Sequence, residues 1–126
     1  MAFKPLCAGF SLVETFIEGD YEVPEVLSGL RDRDVIDMGA SVGDTALYFV
    51  LNGARKVIAV EPLPNVAKCA EENVSISGLA ERAKIANAIL GKSGRLRVPC
   101  NYGIEASVDF LPLSQQCAGG TCEVQP

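Results

Sequence analysis

The stretch "VIDMGASVGDTALYF", residues 35–49, limits the fold more than any other part of the chain. A short apolar run passes through a turn containing Gly39 and Gly43 and becomes helical at once. A buried strand that feeds directly into a helix opens a parallel α/β unit, because parallel strands need a long crossover between them. The two glycines remove side chains where the backbone must turn sharply and where a ligand can approach it closely.

The middle of the chain repeats that alternation. Val35–Met38 reads as a strand, and "GDTALYFVLNG" as a helix with Ala46, Leu47, Val50 and Leu51 on its apolar side. Gly53 stands where a C-terminal cap belongs, and Tyr48 and Phe49 read as core. "KVIAVE" is a second strand, apolar enough to be covered on both faces. "NVAKCAEENVSISGL" is a second helix with Asn65 as N-cap, and "AKIANAIL" is a third strand. "GKSGRLRVP" predicts a turn and a further strand around Leu96 and Val98. The predicted class is α/β, a Rossmann-like parallel sheet in the order 3-2-1 with flanking helices. A lead-in covers 1–34, a cofactor-binding βαβαβ core 35–90, and a β extension with a glycine-rich tail 91–126. Within the lead-in, "SLVETFIE" predicts a short helix with Leu12, Phe16 and Ile17 on one face. "GDYEVPEVL" reads as irregular, with Pro24 preventing a long helix, and "SQQCAGGTCEVQP" as a poorly ordered tail.

Composition narrows the function classes. A chain of 126 residues has room for one domain, and 48% hydrophobic with 21% charged residues is ordinary for a soluble globular one. The net charge of -5 and the lack of a basic tract argue against a broad nucleic-acid surface. Charges or glycines interrupt every apolar run before it reaches membrane-spanning length, and the N-terminus lacks the long apolar core of a signal peptide. The expectation is a cytoplasmic protein with no membrane or nucleic-acid partner. Five cysteines without a histidine or a C-x-x-C pair make a poor zinc site, so no metal is expected. The thiols are read as inert, or as including a Cys117–Cys122 disulfide closed around "AGGT".

In open α/β sheets, ligands bind beyond the carboxyl ends of the strands. Three places in the chain meet that location: the turn "DMGASVGD", Glu61 at the end of strand two, and Asn87 near the end of strand three. A carboxylate at Glu61 can accept hydrogen bonds from both hydroxyls of a ribose, and an amide at Asn87 can meet an adenine edge. Structural readings stand beside these: Asp37 as a turn cap, Glu61 as a solvated strand end, Asn87 as a local brace. Tyr21 either folds over a ligand or packs on the surface.

The turn also discriminates between nucleotides. A dinucleotide fingerprint, G-x-G-x-x-G, needs glycine where Ser41 stands, and no G-x-x-x-x-G-K-[ST] is present. Asp44 at the helix start repels a phosphate, and Asp37 can face an ammonium group. An acidic turn suits a ligand with a sulfonium and an amino group, which is S-adenosylmethionine rather than NAD.

"VIDMGASVGDTALYFVLNGARKVIAVEPLPN" resembles the core of FkbM-type S-adenosylmethionine-dependent methyltransferases. The specific parts are the D-x-G-A-x-x-G-D turn and the E-P-x-P after strand two. "NAILGKSGRLRVP" resembles the family's turn after strand three, and "ASVDF" and "CEVQP" its following paired strands. The resemblance implies a class I methyltransferase acting on a hydroxyl or similar nucleophile of a small-molecule or sugar acceptor. Carried over position by position, it implies Asp37, Gly39, Ala40, Gly43, Asp44, Glu61 and Asn87 as cofactor-binding residues. The family continues beyond "CEVQP" with an acidic fourth strand, so the chain is expected to be truncated before that strand. The first strand would then be an open apolar edge, and the chain a homo-oligomer or strand-swapped through it. With no histidine, a base for an oxygen acceptor would come from Asp, Glu or Tyr, and no catalytic residue is singled out. Two other functions remain in view: an NAD-binding oxidoreductase domain, and a catalytically inactive, partner-binding remnant of the fold.

Overall fold

Three short parallel strands organise the chain in the computed structural model, which describes residues 2–3, 11–91, 96–99 and 121–124. A helical turn, α1 (Ser11–Val13), runs into a π-helical turn over Glu14–Glu18. Then follow α2 (Pro24–Leu30), β1 (Asp34–Met38), α3 (Asp44–Leu51), β2 (Lys56–Val60), α4 (Pro64–Ile76) and β3 (Ala83–Ala86). The sheet order is β1-β2-β3 with both pairings parallel, Asp37 aligning with Ala59 and Val60 with Ala86. This is the Rossmann-like α/β arrangement and strand order that the alternation predicts. β4 (Leu96–Pro99) and β5 (Thr121–Val124) form a separate antiparallel pair. The tail expected to be poorly ordered therefore contributes a strand. Residues 106–110, expected to pair with the last strand, lie outside the described residues, as does Cys117.

The core lies on one face of the sheet. Val57, Ala59 and Ala83 point into it and meet Ala46, Leu47 and Val50 of α3 and Val74 of α4. β2 alternates between exposed and buried positions, against the expectation that both faces are covered. On its other face Ile36, Met38 and Ile58 are 70, 71 and 53% exposed. Both helices that follow strands one and two pack against the same side, so an apolar strand composition does not by itself imply two layers.

Local departures have local causes. "GDYEVPEVL" is not irregular throughout: Pro24 begins the seven-residue α2, because at the first helical position its missing N–H costs nothing. Likewise α4 starts at Pro64 after Leu63, leaving Asn65 inside the first turn and not at the cap. Leu51 is 53% exposed, since the buried stripe of α3 runs through Ala46, Leu47 and Val50. Ile17 is 79% exposed, because the π turn shifts the angular spacing away from the α period assumed for that face. Cys69 on α4 is disulfide-bonded, so the reading of the thiols as inert fails at that position. Long-range pairing of this kind leaves no mark in local spacing.

The lead-in is pinned to α3 by aromatic side chains. Phe16 meets Tyr48 edge-on at 5.6 Å between ring centroids, and Tyr21 meets Phe49 at 5.7 Å. Phe3 joins the cluster through Phe16 at 6.2 Å. Tyr48 and Phe49 are thus half-buried packing residues, as their place on the helix suggests. Among the described residues, no helix is long and apolar enough to cross a membrane.

Candidate cofactor site

The turn after β1 is built from two glycines with different tasks. Gly39 has φ +89°, and a Cβ placed on it would meet no atom within 4 Å. Its backbone is held by its own N–H donating to the Val60 carbonyl at 2.9 Å, and the N–H of Ala40 donates to the same oxygen. Gly43 has φ +85°, and a Cβ there would come within 3.2 Å of the Ala70 backbone on α4. Gly39 thus leaves open space at the carboxyl end of β1, whereas Gly43 lets α4 approach. Ala40 is fully buried and faces the core, so of its groups only the backbone borders the turn. Ser41 also takes a left-handed conformation, φ +47°, which is uncommon for a residue with a side chain.

Glu61 braces the turn. It is 6% exposed, and both carboxylate oxygens accept backbone N–H groups: Oε2 from Ser41 at 3.0 Å and Oε1 from Leu63 at 2.9 Å. Burial raises its pKa, the two N–H donors pull it back down, and the charge of Asp37 raises it further. The solvated-strand-end reading is therefore wrong for this residue. Each oxygen keeps a lone pair beyond the one that its backbone donor uses. Asn87 is used locally: its amide donates to the carbonyls of Glu61 and Pro62 at 2.9 and 3.0 Å. It stands beside Glu61, as expected, but its donors are spent on backbone.

Asp37 and Asp44 form the acidic side. Thr45 donates its hydroxyl to Asp37 Oδ2. Burial pushes the Asp37 carboxyl up, the Thr45 bond opposes this, and the Asp44 charge adds to it. Asp44 opens α3 and is 1% exposed. Its Oδ2 accepts from the Thr15 hydroxyl at 2.6 Å, and its Oδ1 has no hydrogen-bond partner. A small open pocket lies here, with Glu14, Asp20 and Asp44 among its walls. Gly39, Ser41 and Thr45 line the side nearest the sheet, and Thr15 and Tyr21 the side supplied by the lead-in. Burial raises the Tyr21 phenol pKa, and Asp37, Asp44, Asp20 and Glu14 all raise it further.

The structure thus gathers Asp37, Gly39, Ala40, Gly43, Asp44, Glu61 and Asn87 at one end of the sheet. Sequence reasoning missed Thr15, Thr45 and Asn73. Asn73 is fully buried on α4 and donates to the Val42 carbonyl at 2.9 Å, holding the turn from beneath. A polar residue on the buried stripe Val66, Ala67, Ala70, Val74 was the signal available for it. Thr15 comes from a segment 29 positions away, and nothing in local pattern ties it to Asp44. Among the described residues, no group of three or more His, Cys, Asp or Glu is placed to hold a metal ion.

No family model matches the chain, and no curated protein matches it either. Solved structures do align with part of it. Protein arginine methyltransferase 10 of Arabidopsis thaliana is 28% identical over 48% of this chain and 17% of that one, with a TM-score of 0.46. The PRMT1 enzyme–prozyme complex of Trypanosoma brucei, solved with AdoHcy, is 33% identical over 52% and 20%, with a TM-score of 0.45. Residues 942–1257 of StiE O-MT are 20% identical over 60% and 29%, with a TM-score of 0.48. The chain covers less than a third of the length of each of these proteins.

Proposed function

We propose that the chain binds S-adenosylmethionine at the turn after β1 and is the cofactor-binding part of an FkbM-like methyltransferase, acting on a hydroxyl of a small molecule or sugar. Gly39 carries this reading, because its positive φ and the open space over it make a cradle at the carboxyl end of β1. Charge selects among nucleotides. Glu14, Asp20 and Asp44 line the adjoining pocket with no Lys or Arg among its lining residues, which favours a cation and opposes a pyrophosphate. Asp37 and Asp44 would hold the cationic end of the cofactor, Gly39 and Ala40 would let it lie against backbone, and the remaining lone pairs of Glu61 would accept from the ribose.

When bound, the cofactor supplies a methyl group on a sulfonium. The chain's own residues position and enclose. Tyr21 borders the pocket, and burial first and then the neighbouring carboxylates raise its phenol pKa, which disfavours it as a base and suits it to donating a hydrogen bond. Isothermal titration with S-adenosylhomocysteine and with NADH tests the assignment. Binding of the first and not the second is expected; absence of heat with S-adenosylhomocysteine at millimolar concentration would sink it.

We also propose that the chain self-associates through β1. No described strand pairs with its outer edge, and Ile36 and Met38 lie exposed beside it. Pairing of two copies about a two-fold axis at Ile36 would set the two Ile36 side chains next to each other and extend the sheet. Sedimentation should show a dimer at micromolar concentration, and a stable monomer would rule the pairing out.

A further inference from the structure

One face of the three-stranded sheet is left open. The parallel register sets its side chains in rows: Asp34 beside Lys56, then Ile36, Ile58 and Lys84, then Met38, Val60 and Ala86. Ile36, Met38 and Ile58 are exposed and form one apolar stripe across β1 and β2. Pairing of β1 edges extends the sheet and leaves this stripe uncovered. The charges on the face are uneven. Asp34 is the one acid that the three strands place there, since Asp37 aligns with the buried Ala59 on the other side. Arg55 holds both Asp34 oxygens, at 2.8 and 2.7 Å. Lys56 and Lys84, both exposed, therefore give the face a positive sign in a chain whose net charge is -5.

Helix α2 has the opposite character. Of its seven residues only Leu30 is buried. Val23 at its N-cap and Val26 in its first turn are exposed, three positions apart as neighbours on a helix surface are. Glu22 and Glu25, also exposed, stand directly before them, and no Lys or Arg lies within Pro24–Leu30. A helix this short does not hold in water by its own propensity, so packing has to support it. The dimensions agree as well: seven helical residues extend about 10 Å, and three strands span about 10 Å between their outer axes.

We propose that two copies of the chain bind reciprocally, α2 of each lying on the open sheet face of the other. Val23 and Val26 then cover Ile36, Met38 and Ile58, and Glu22 and Glu25 face Lys56 and Lys84. A two-fold axis makes the two contacts identical and closes the assembly at two copies. Apolar burial supplies the attraction, and the opposed charges select which surfaces meet. Neither cofactor binding nor β1 edge pairing is needed for it.

Sedimentation equilibrium of the full chain and its variants provides the test. Val26→Glu and Ile58→Glu each alter an exposed side chain, so their urea midpoints should stay close to that of the parent. Each should raise the dimer dissociation constant at least about tenfold. Glu25→Lys and Lys84→Glu should each weaken the dimer by about threefold, and the two together in one chain should restore it, because both reciprocal contacts then carry exchanged charges. Ile58 lies on the central strand, away from the β1 edge, so edge pairing alone predicts no effect of either glutamate. A dissociation constant that neither glutamate changes overturns the proposal and leaves edge pairing as the contact. Weakening by only one of the two overturns it too, because α2 and the sheet face then do not meet each other. A chain that stays monomeric at about 100 µM overturns it, as does a charge exchange that deepens the loss instead of reversing it. Should a glutamate variant fail to fold, the charge exchange decides, since Glu25 and Lys84 are both exposed.

Discussion

Glu61 and Asp44 are both almost closed off from solvent, 6 and 1% exposed, at the same end of the sheet. Glu61 spends both oxygens on backbone N–H groups, one in the turn after β1 and one in the loop after β2. Asp44 spends one oxygen on Thr15 and leaves the other without a partner. The first carboxylate therefore braces the turn after β1, and the second keeps one oxygen without a donor. Burial alone does not tell the two acids apart; the count of satisfied oxygens does.

The largest test of that contrast removes the brace. Glu61→Ala leaves the Ser41 and Leu63 N–H groups without their acceptor, and should destabilise the fold by about 3 kcal/mol, read from urea denaturation. If the loss is no greater than for a surface carboxylate, Glu61 does not hold the turn. The two glycines sharpen the same division between structure and ligand. Gly43→Ala meets the α4 backbone at a positive φ and should cost about 2 kcal/mol of stability. Gly39→Ala finds open space, so it should cost about 1 kcal/mol through φ alone while weakening S-adenosylhomocysteine binding. Equal stability losses with unchanged binding would mean that Gly39 faces no ligand.

The α/β alternation was legible because each step of it is local. Apolar runs, turn glycines and helical periodicity placed β1, β2, β3, α3 and α4 within a few residues of their bounds. What escaped depended on packing across the chain. Val57 and Ala59 are buried while Ile58 between them is exposed, and composition alone cannot tell a strand covered on one face from one covered on two. Pro24 opens a helix inside a stretch read as irregular, and Pro64, not Asn65, starts α4. At the site, the types at Asp37, Gly39 and Asp44 announced an acidic turn, but the partners that decide their roles were invisible. Thr15 reaches Asp44 from the lead-in, and Asn87 spends its amide on Glu61 and Pro62, because long-range hydrogen bonds have no spacing rule.

A smaller effect follows from the raised pKa values of Asp37 and Glu61, both driven first by burial. Each carboxyl binds its proton more tightly in the folded chain than in the unfolded one. Folding therefore takes up protons between the ordinary carboxylate pKa and the raised value. The stabilisation is complete below the unfolded pKa and is lost as pH rises through the folded one. Urea denaturation across mildly acidic pH should show stability falling as the pH rises, and Asp37→Asn should flatten the fall. A rise with pH that Asp37→Asn leaves unchanged would show that these two groups do not govern the acid limb.

The smallest expected change is the one that defines the other half of the contrast. Asp44→Asn keeps an oxygen for the Thr15 hydroxyl and removes a buried charge that has only one donor. It also removes the Asp44 charge that helps to raise the Asp37 carboxyl, so the Asp37 pKa should move down. These gains offset the lost charge-assisted bond to Thr15, and the net stability change should stay within about 0.5 kcal/mol of zero. Glu61→Gln lacks such compensation, because one of its two backbone donors would face an amide N–H in place of an oxygen. Urea midpoints for the two isosteric variants, measured side by side, should therefore fall for Glu61→Gln and hold for Asp44→Asn. If Asp44→Asn proves the more damaging, its unpaired oxygen is not an open position, and the carboxylate is as structural as Glu61.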